Sequence, residues 1–217
     1  QKQRALITLG KLSQNSEQSA LAILNSGGLM ATVSLLASQN TTVRIEATRA
    51  VAYMSASSDK MAAAILAVGG IQALISLLSS PLEAMKENAA NALGNLARSG
   101  ICREAIVNCG GVNSVVPLLS SSNQVVQLQA LRILKILATE RSIRESAVNT
   151  GCLPHLVQLL SSGNAHIQLQ AALALLSFSR DSDQNRQSIL DLGGVSGIVA
   201  LLTYRDDDNV QFAASEV

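Results

Sequence analysis

His155, His166 and three cysteines are the side chains of this sequence with the widest chemical options. Their spacing leaves few of those options open. Neither histidine has a second His, a Cys or a carboxylate arranged around it at metal-ligand spacing, so surface or edge positions are expected and a metal site is not. Cys102, Cys109 and Cys152 form no Cys-x-x-Cys pair and are too few and too far apart for a disulfide framework. They read as buried thiols in a reducing compartment, which points to a cytoplasmic address, or a nuclear one. Serines are plentiful, but no Gly-x-Ser-x-Gly elbow presents one as a nucleophile. The glycine pairs match neither a Gly-x-x-x-x-Gly-Lys-Ser/Thr loop nor Gly-x-Gly-x-x-Gly, so no phosphate cradle is expected. Asp206-Asp207-Asp208 lacks the glycine and terminal glutamate of a calcium loop, and reads as a loop that favours the positive end of the following helix. No catalytic constellation emerges. The chain is read as a non-enzyme without a cofactor.

The elements that carry these residues are built from an unusual mixture. The chain of 217 residues is 48% hydrophobic, 14% charged and 2% aromatic, with no tryptophan. Its apolar mass is Leu, Ile, Val and Ala, which suits many helices packed closely against one another. A net charge of +1 offers no field for nucleic acid or a membrane surface. No apolar run approaches the ~18 residues of a membrane span. Beginning at Gln1 without Met and stopping at Val217 in mid-pattern, the chain reads as a piece of something longer.

That pattern is a repeat. Paired leucines stand at Leu35-Leu36, Leu77-Leu78, Leu118-Leu119, Leu159-Leu160 and Leu201-Leu202, at successive separations of 42, 41, 41 and 42 residues. Just upstream of the pairs lie Gly27-Gly28, Gly69-Gly70, Gly110-Gly111, Gly151-Cys152 and Gly193-Gly194. Each unit reads as three helices. A short first helix ends at the glycines, as in Met61 to Val68, because glycine tolerates the left-handed conformation that ends a helix. A second helix carries the leucines, and Ser, Asn or Thr then caps a third. Ser80-Pro81-Leu82-Glu83 predicts a capping box with proline at the first helical position.

The third helix has the clearest columns. Val43, Met85, Val126, Ile167 and Val210 fill one; Ala47, Ala89, Ala130, Ala171 and Ala214 fill the next. Val51, Leu93, Leu134 and Leu175 follow, then Met54, Leu96, Leu137 and Phe178. These intervals of four, four and three trace one stripe of an α-helix. The alanine column implies close approach of a neighbouring helix. A single unit could not bury its apolar face, so the units must stack.

Three segments give the repeat a family resemblance. Cys152-Leu-Pro-His-Leu-Val-Gln-Leu-Leu-Ser-Ser162, Asn91-Ala-Leu-Gly-Asn-Leu-Ala97 and Asn185-Arg-Gln-Ser-Ile-Leu-Asp-Leu-Gly-Gly194 resemble the second, third and first helices of armadillo repeats. The glycine pair and short first helix favour this family over the two-helix HEAT repeats. The resemblance covers the whole chain and implies an all-α fold, a right-handed superhelical solenoid with three helices per repeat. Residues 1–217 would form one solenoid: a partial repeat at 1–13, repeats near 14–57, 58–98, 99–139 and 140–180, and a partial repeat at 181–217.

In this family third helices line a concave groove that binds extended protein segments. The importin-like branch carries a Trp and, four residues on, an Asn on each third helix. Here the first of those columns reads Ile7, Arg49, Asn91, Arg132, Leu173 and Glu216, and the second reads Lys11, Tyr53, Asn95, Ile136 and Ser177. Only Asn95 keeps the family residue, so the resemblance does not extend to a nuclear-import receptor. The candidate protein-binding residues are Arg49, Tyr53, Asn88, Asn91, Asn95, Gln129, Arg132, Ile136, Leu173 and Ser177, with Glu46 and Gln170 one turn earlier and Lys135 nearby. Asparagine offers an extended backbone both a donor and an acceptor, and Asn95 is the leading candidate for that role. Arginine can clamp a carboxylate, and Arg132 is the leading charge anchor.

The third helices carry net positive charge and the remainder net negative, which favours partner segments with some acidic residues. The function expected is a protein–protein interaction scaffold or adaptor. The alternatives are a regulatory or ligand-sensing module of a larger multidomain enzyme, and a cytoskeletal or ciliary assembly component.

Overall fold

The computed structural model describes residues 1–203, and among them there is helix and no strand. The helices are α1 (Lys2–Asn15), α2 (Glu17–Asn25), α3 (Gly28–Ser34), α4 (Thr41–Ser55), α5 (Asp59–Ala67), α6 (Gly70–Leu77), α7 (Glu83–Leu96) and α8 (Gly100–Asn108). They continue as α9 (Gly111–Val115), α10 (Gln124–Leu137), α11 (Arg141–Asn149), α12 (Cys152–Leu159), α13 (Ala165–Ser179), α14 (Asp183–Asp191) and α15 (Gly194–Thr203). Helices α3 and α9 run on into single 3-10 segments, Leu35–Ala37 and Val116–Ser120. The order short, second, long recurs as the leucine spacing requires, with α1, α4, α7, α10 and α13 as third helices. Asp206-Asp207-Asp208, Val210, Ala214 and Glu216 lie outside the described residues. The chain divides into two compact units, Gln1–Ser114 and Val115–Val217.

The predicted glycine turns form. Gly27, Gly69, Gly110, Gly151 and Gly193 have φ between 73° and 79°, the left-handed region where a Cβ is costly. The chain bends by 72° at the first of these and by 82° at the second. The glycine that follows has a different task. A Cβ on Gly70 would stand 2.6 Å from Cγ2 of Ile65 and 2.9 Å from its carbonyl oxygen. At Gly111 both distances to Ile106 are 2.6 Å.

The fourth repeat solves the same crowding by exchange. Cys152 replaces the second glycine, and the residue five positions earlier, isoleucine elsewhere, is Ala147. Gly70→Ala therefore destabilises by about 1–3 kcal/mol. In an Ile65→Ala background the same change costs less, with a coupling of at least about 0.5 kcal/mol in a double-mutant cycle of thermal unfolding.

Caps set the starts of the long helices. Asn40 Oδ1 accepts from Val43 N at 3.0 Å, Asn123 Oδ1 from Val125 N at 2.9 Å, and Asn164 Oδ1 from His166 N at 2.9 Å. The capping box expected at Ser80 does not form. Helix α7 starts only at Glu83, with Leu82 at its cap and no side-chain cap bond. Ser80 Oγ instead accepts from Leu82 N at 3.2 Å and donates to the Met85 sulfur. Leu82 is extended ahead of the helix, and Glu83 pairs with Lys86. The four-residue pattern is present, but its glutamate sits at the first helical position instead of the third.

Packing follows the columns. Ala47, Ala89, Ala130 and Ala171 are fully buried, as are Val51, Leu93, Leu134, Met54, Leu96, Leu137 and Phe178. In the first unit α4 packs against α1 on one side and α7 on the other; in the second, α10 packs against α13. These long helices place one further stripe, half-buried, between core and solvent. Among the described residues no single helix is long and apolar enough to cross a membrane.

Candidate partner-binding face

All ten sequence-predicted binding residues are half-buried, the exposure of side chains flanking a packed stripe. In the first unit they lie on α4 and α7. Arg49 is 41% exposed and pairs with Glu46 at 3.3 Å, so its charge is met within its own helix. The ring of Tyr53 lies over Gly10 of α1: a Cβ there would come within 2.8 Å of Cδ2. Asn88 donates to the carbonyl of Ala84 at 2.7 Å, one turn back. Asn91 follows it on the same helix.

Asn95 has a role the sequence reading did not assign. Its Nδ2 donates to Ala52 O at 3.3 Å and to Ser55 Oγ at 3.1 Å, tying the end of α7 to the end of α4. The amide expected to grip a partner's backbone is engaged in joining two repeats. One Asn in a column looks the same in sequence whether its acceptor belongs to a partner or to the preceding helix.

The second unit carries the charge. Arg132 Nη1 donates to Gln129 Oε1 at 3.2 Å, and Lys135 Nζ donates to Gln170 Oε1 at 2.9 Å. Two cations three residues apart are thus steadied by neutral amides of α10 and α13. Neither of those helices contains an Asp or Glu. Partial burial lowers the Lys135 pKa below the usual ammonium value, and the neighbouring Arg132 charge lowers it further. Ile136 and Leu173 supply apolar surface beside them, and Ser177 Oγ donates to Leu173 O at 3.1 Å.

Other reactive groups are placed without a mechanism. His155 Nδ1 lies 3.3 Å from Ser120 Oγ, beside a cleft of about 450 Å³ that includes Gln127 and Gln158. No carboxylate orients that imidazole among the described residues. His166 is exposed at the start of α13. Among the described residues no three His, Cys, Asp or Glu side chains gather to hold a metal ion. All three cysteines are free. Burial pushes the Cys152 thiol up to about 12 and raises that of Cys102, which also feels Asp59. Cys109 is half-buried. In the native protein a maleimide therefore labels Cys109 first, with Cys102 and Cys152 modified only on unfolding, as peptide mapping will show.

A pair of glutamine struts leaves no mark in the apolar pattern. Gln127 Nε2 donates to Leu119 O at 3.0 Å, and Gln168 Nε2 to Ser162 O at 2.7 Å, each fastening a third helix to the chain just before it. Their separation by one repeat length was the available signal.

The sequence matches the Armadillo-like family over residues 24–211. This chain belongs to the armadillo-like family. Its fold is accordingly an all-α armadillo-repeat solenoid, three helices to the repeat. Among solved structures it is similar to an engineered protein at 33% identity and TM-score 0.90, with 98% of this chain and 87% of that one covered. It also resembles a designed armadillo repeat protein in complex with the peptide (KR)4, at 20% identity, TM-score 0.91, and 98% and 90% coverage. A computationally designed armadillo repeat protein for modular peptide recognition stands at 21% identity and TM-score 0.91, again with 98% and 90% covered. The last two likenesses concern the fold. No curated protein matched the sequence.

Proposed function

We propose that this armadillo chain is a non-catalytic protein-interaction module whose third-helix face receives extended partner segments carrying acidic residues. The observation that carries the reading is the pair of cations Arg132 and Lys135, half-buried three residues apart on α10 and bonded to Gln129 and Gln170. A carboxylate or phosphate of the partner is drawn to this pair, and Ile136 and Leu173 take apolar side chains alongside. In the first unit Glu46 already answers Arg49, so that face selects less by charge. Designed relatives of this fold bind peptides, among them one of alternating lysine and arginine. The charge here favours the opposite sign. Three free thiols fit a reducing cytoplasm or nucleus.

The test is a titration of the full chain with (KR)4 and with its acidic counterpart of equal length, Glu in place of every Lys and Arg. The acidic peptide binds and the basic one does not. Preference for the basic peptide refutes the proposal.

A further inference from the structure

Seven residues before each left-handed glycine, the first helices carry a column that reads Ala20, Ala62, Arg103, Arg144 and Arg186. The three arginines share one job. Arg103 Nη1 donates to the carbonyls of Ala97 at 3.1 Å and Arg98 at 3.2 Å. Arg144 Nη1 donates to Ala138 O at 3.2 Å, and Arg186 Nη1 to Ser179 O at 2.9 Å. Each guanidinium thus sits at the C-terminal end of the preceding third helix, where carbonyls lack helical partners and the dipole is negative. Arg144 is buried, and the space left beside it and Asp181 is about 30 Å³.

In the second repeat the same position is Ala62. The carbonyl corresponding to Ala97 and Ala138 is that of Ala56, just past the end of α4, and among the described residues no arginine donates to it. A cleft of about 400 Å³ opens there, walled by Ala56, Asp59 and Ala62 on one side and by Asn95, Arg98 and Ser99 on the other. It lies wholly within the first unit, at the ends of α4 and α7. Ser55 and Ser58 also reach it, but their hydroxyls are engaged: Ser55 Oγ donates to Ala52 O, and Ser58 Oγ accepts from Met61 N. The acceptors there include the Ala56 carbonyl and the exposed Asp59 carboxylate. Arg98 is the one cation in its lining.

We propose that this cleft takes an arginine side chain of a partner protein, which supplies from outside the guanidinium that Arg103, Arg144 and Arg186 supply from within. Three repeats of the same chain show which chemistry the position accepts. A guanidinium offers several coplanar donors to a helix-end carbonyl and a carboxylate together, and its planar fork suits a slot between two helix ends better than a compact ammonium does. A carboxylate placed there would face Asp59 and the negative end of α4.

The probe is N-acetyl-arginine methylamide, with its neutral citrulline counterpart as control, followed in amide NMR spectra of the full chain. The arginine compound produces saturable shifts confined to residues 55–62 and 95–99, and the citrulline compound does not. Ala62→Arg fills the cleft from within and abolishes the response, Asp59→Asn weakens it several-fold, and Arg98→Ala strengthens it. Equal shifts with citrulline, no saturable response, or full binding by a folded Ala62→Arg protein overturns the proposal. If Ala62→Arg does not fold, undiminished binding by Asp59→Asn, an exposed and conservative change, overturns it alone.

Discussion

Ala89→Leu and Ala130→Leu each lower stability by about 1–3 kcal/mol or more, while Ala84→Leu, an exposed alanine on the same helix as Ala89, stays within about 0.5 kcal/mol of the parent. Ala89 and Ala130 are fully buried, each in the stripe where one third helix meets another. A leucine there adds three carbons between helices whose spacing the alanine sets. In a stack of repeats the interfaces supply much of the stability, so the cost falls on the interface and lowers the melting temperature of that unit. Thermal unfolding followed by circular dichroism reads the effect at roughly 2–4 °C per kcal/mol. Equal melting of Ala89→Leu and Ala84→Leu would show that the alanine column does not set the spacing.

The stack was legible because its physics is periodic. The leucine pairs, the left-handed glycines and the columns headed by Val43, Ala47, Val51 and Met54 each recur once per repeat. Recurrence separates a structural requirement from chance. The half-buried stripe beside the core was legible as a set of positions, since it follows geometrically once the core columns are known. What each residue does there was not. Asn95 and Tyr53 occupy the same column, yet one bonds the end of α4 and the other covers Gly10. Side-chain to backbone bonds leave no apolar pattern, which is why Gln127, Gln168 and the arginines at 103, 144 and 186 escaped notice despite their spacing. The failed cap at Ser80 has a similar cause. A motif of the right composition was displaced by two residues against the helix start, and only the backbone shows where the helix begins.

The measurement that tests the proposed function most directly is the affinity of the acidic peptide for the full chain when Arg132 and Lys135 are both changed to glutamine. Glutamine keeps a polar side chain able to donate a hydrogen bond and removes the charge. The matched control, Lys60→Gln/Arg141→Gln, removes two cations from first helices α5 and α11, where the side chains are 67% and 75% exposed and their ion pairs contribute little. The account predicts that Arg132→Gln/Lys135→Gln weakens binding about tenfold or more, a loss of roughly 1.4 kcal/mol, and flattens its salt dependence. The control retains parental affinity. If the control lost the peptide while the Arg132→Gln/Lys135→Gln protein, folded and with unchanged melting, bound it normally, the partner would lie against the first helices and the third-helix face would not be the binding surface.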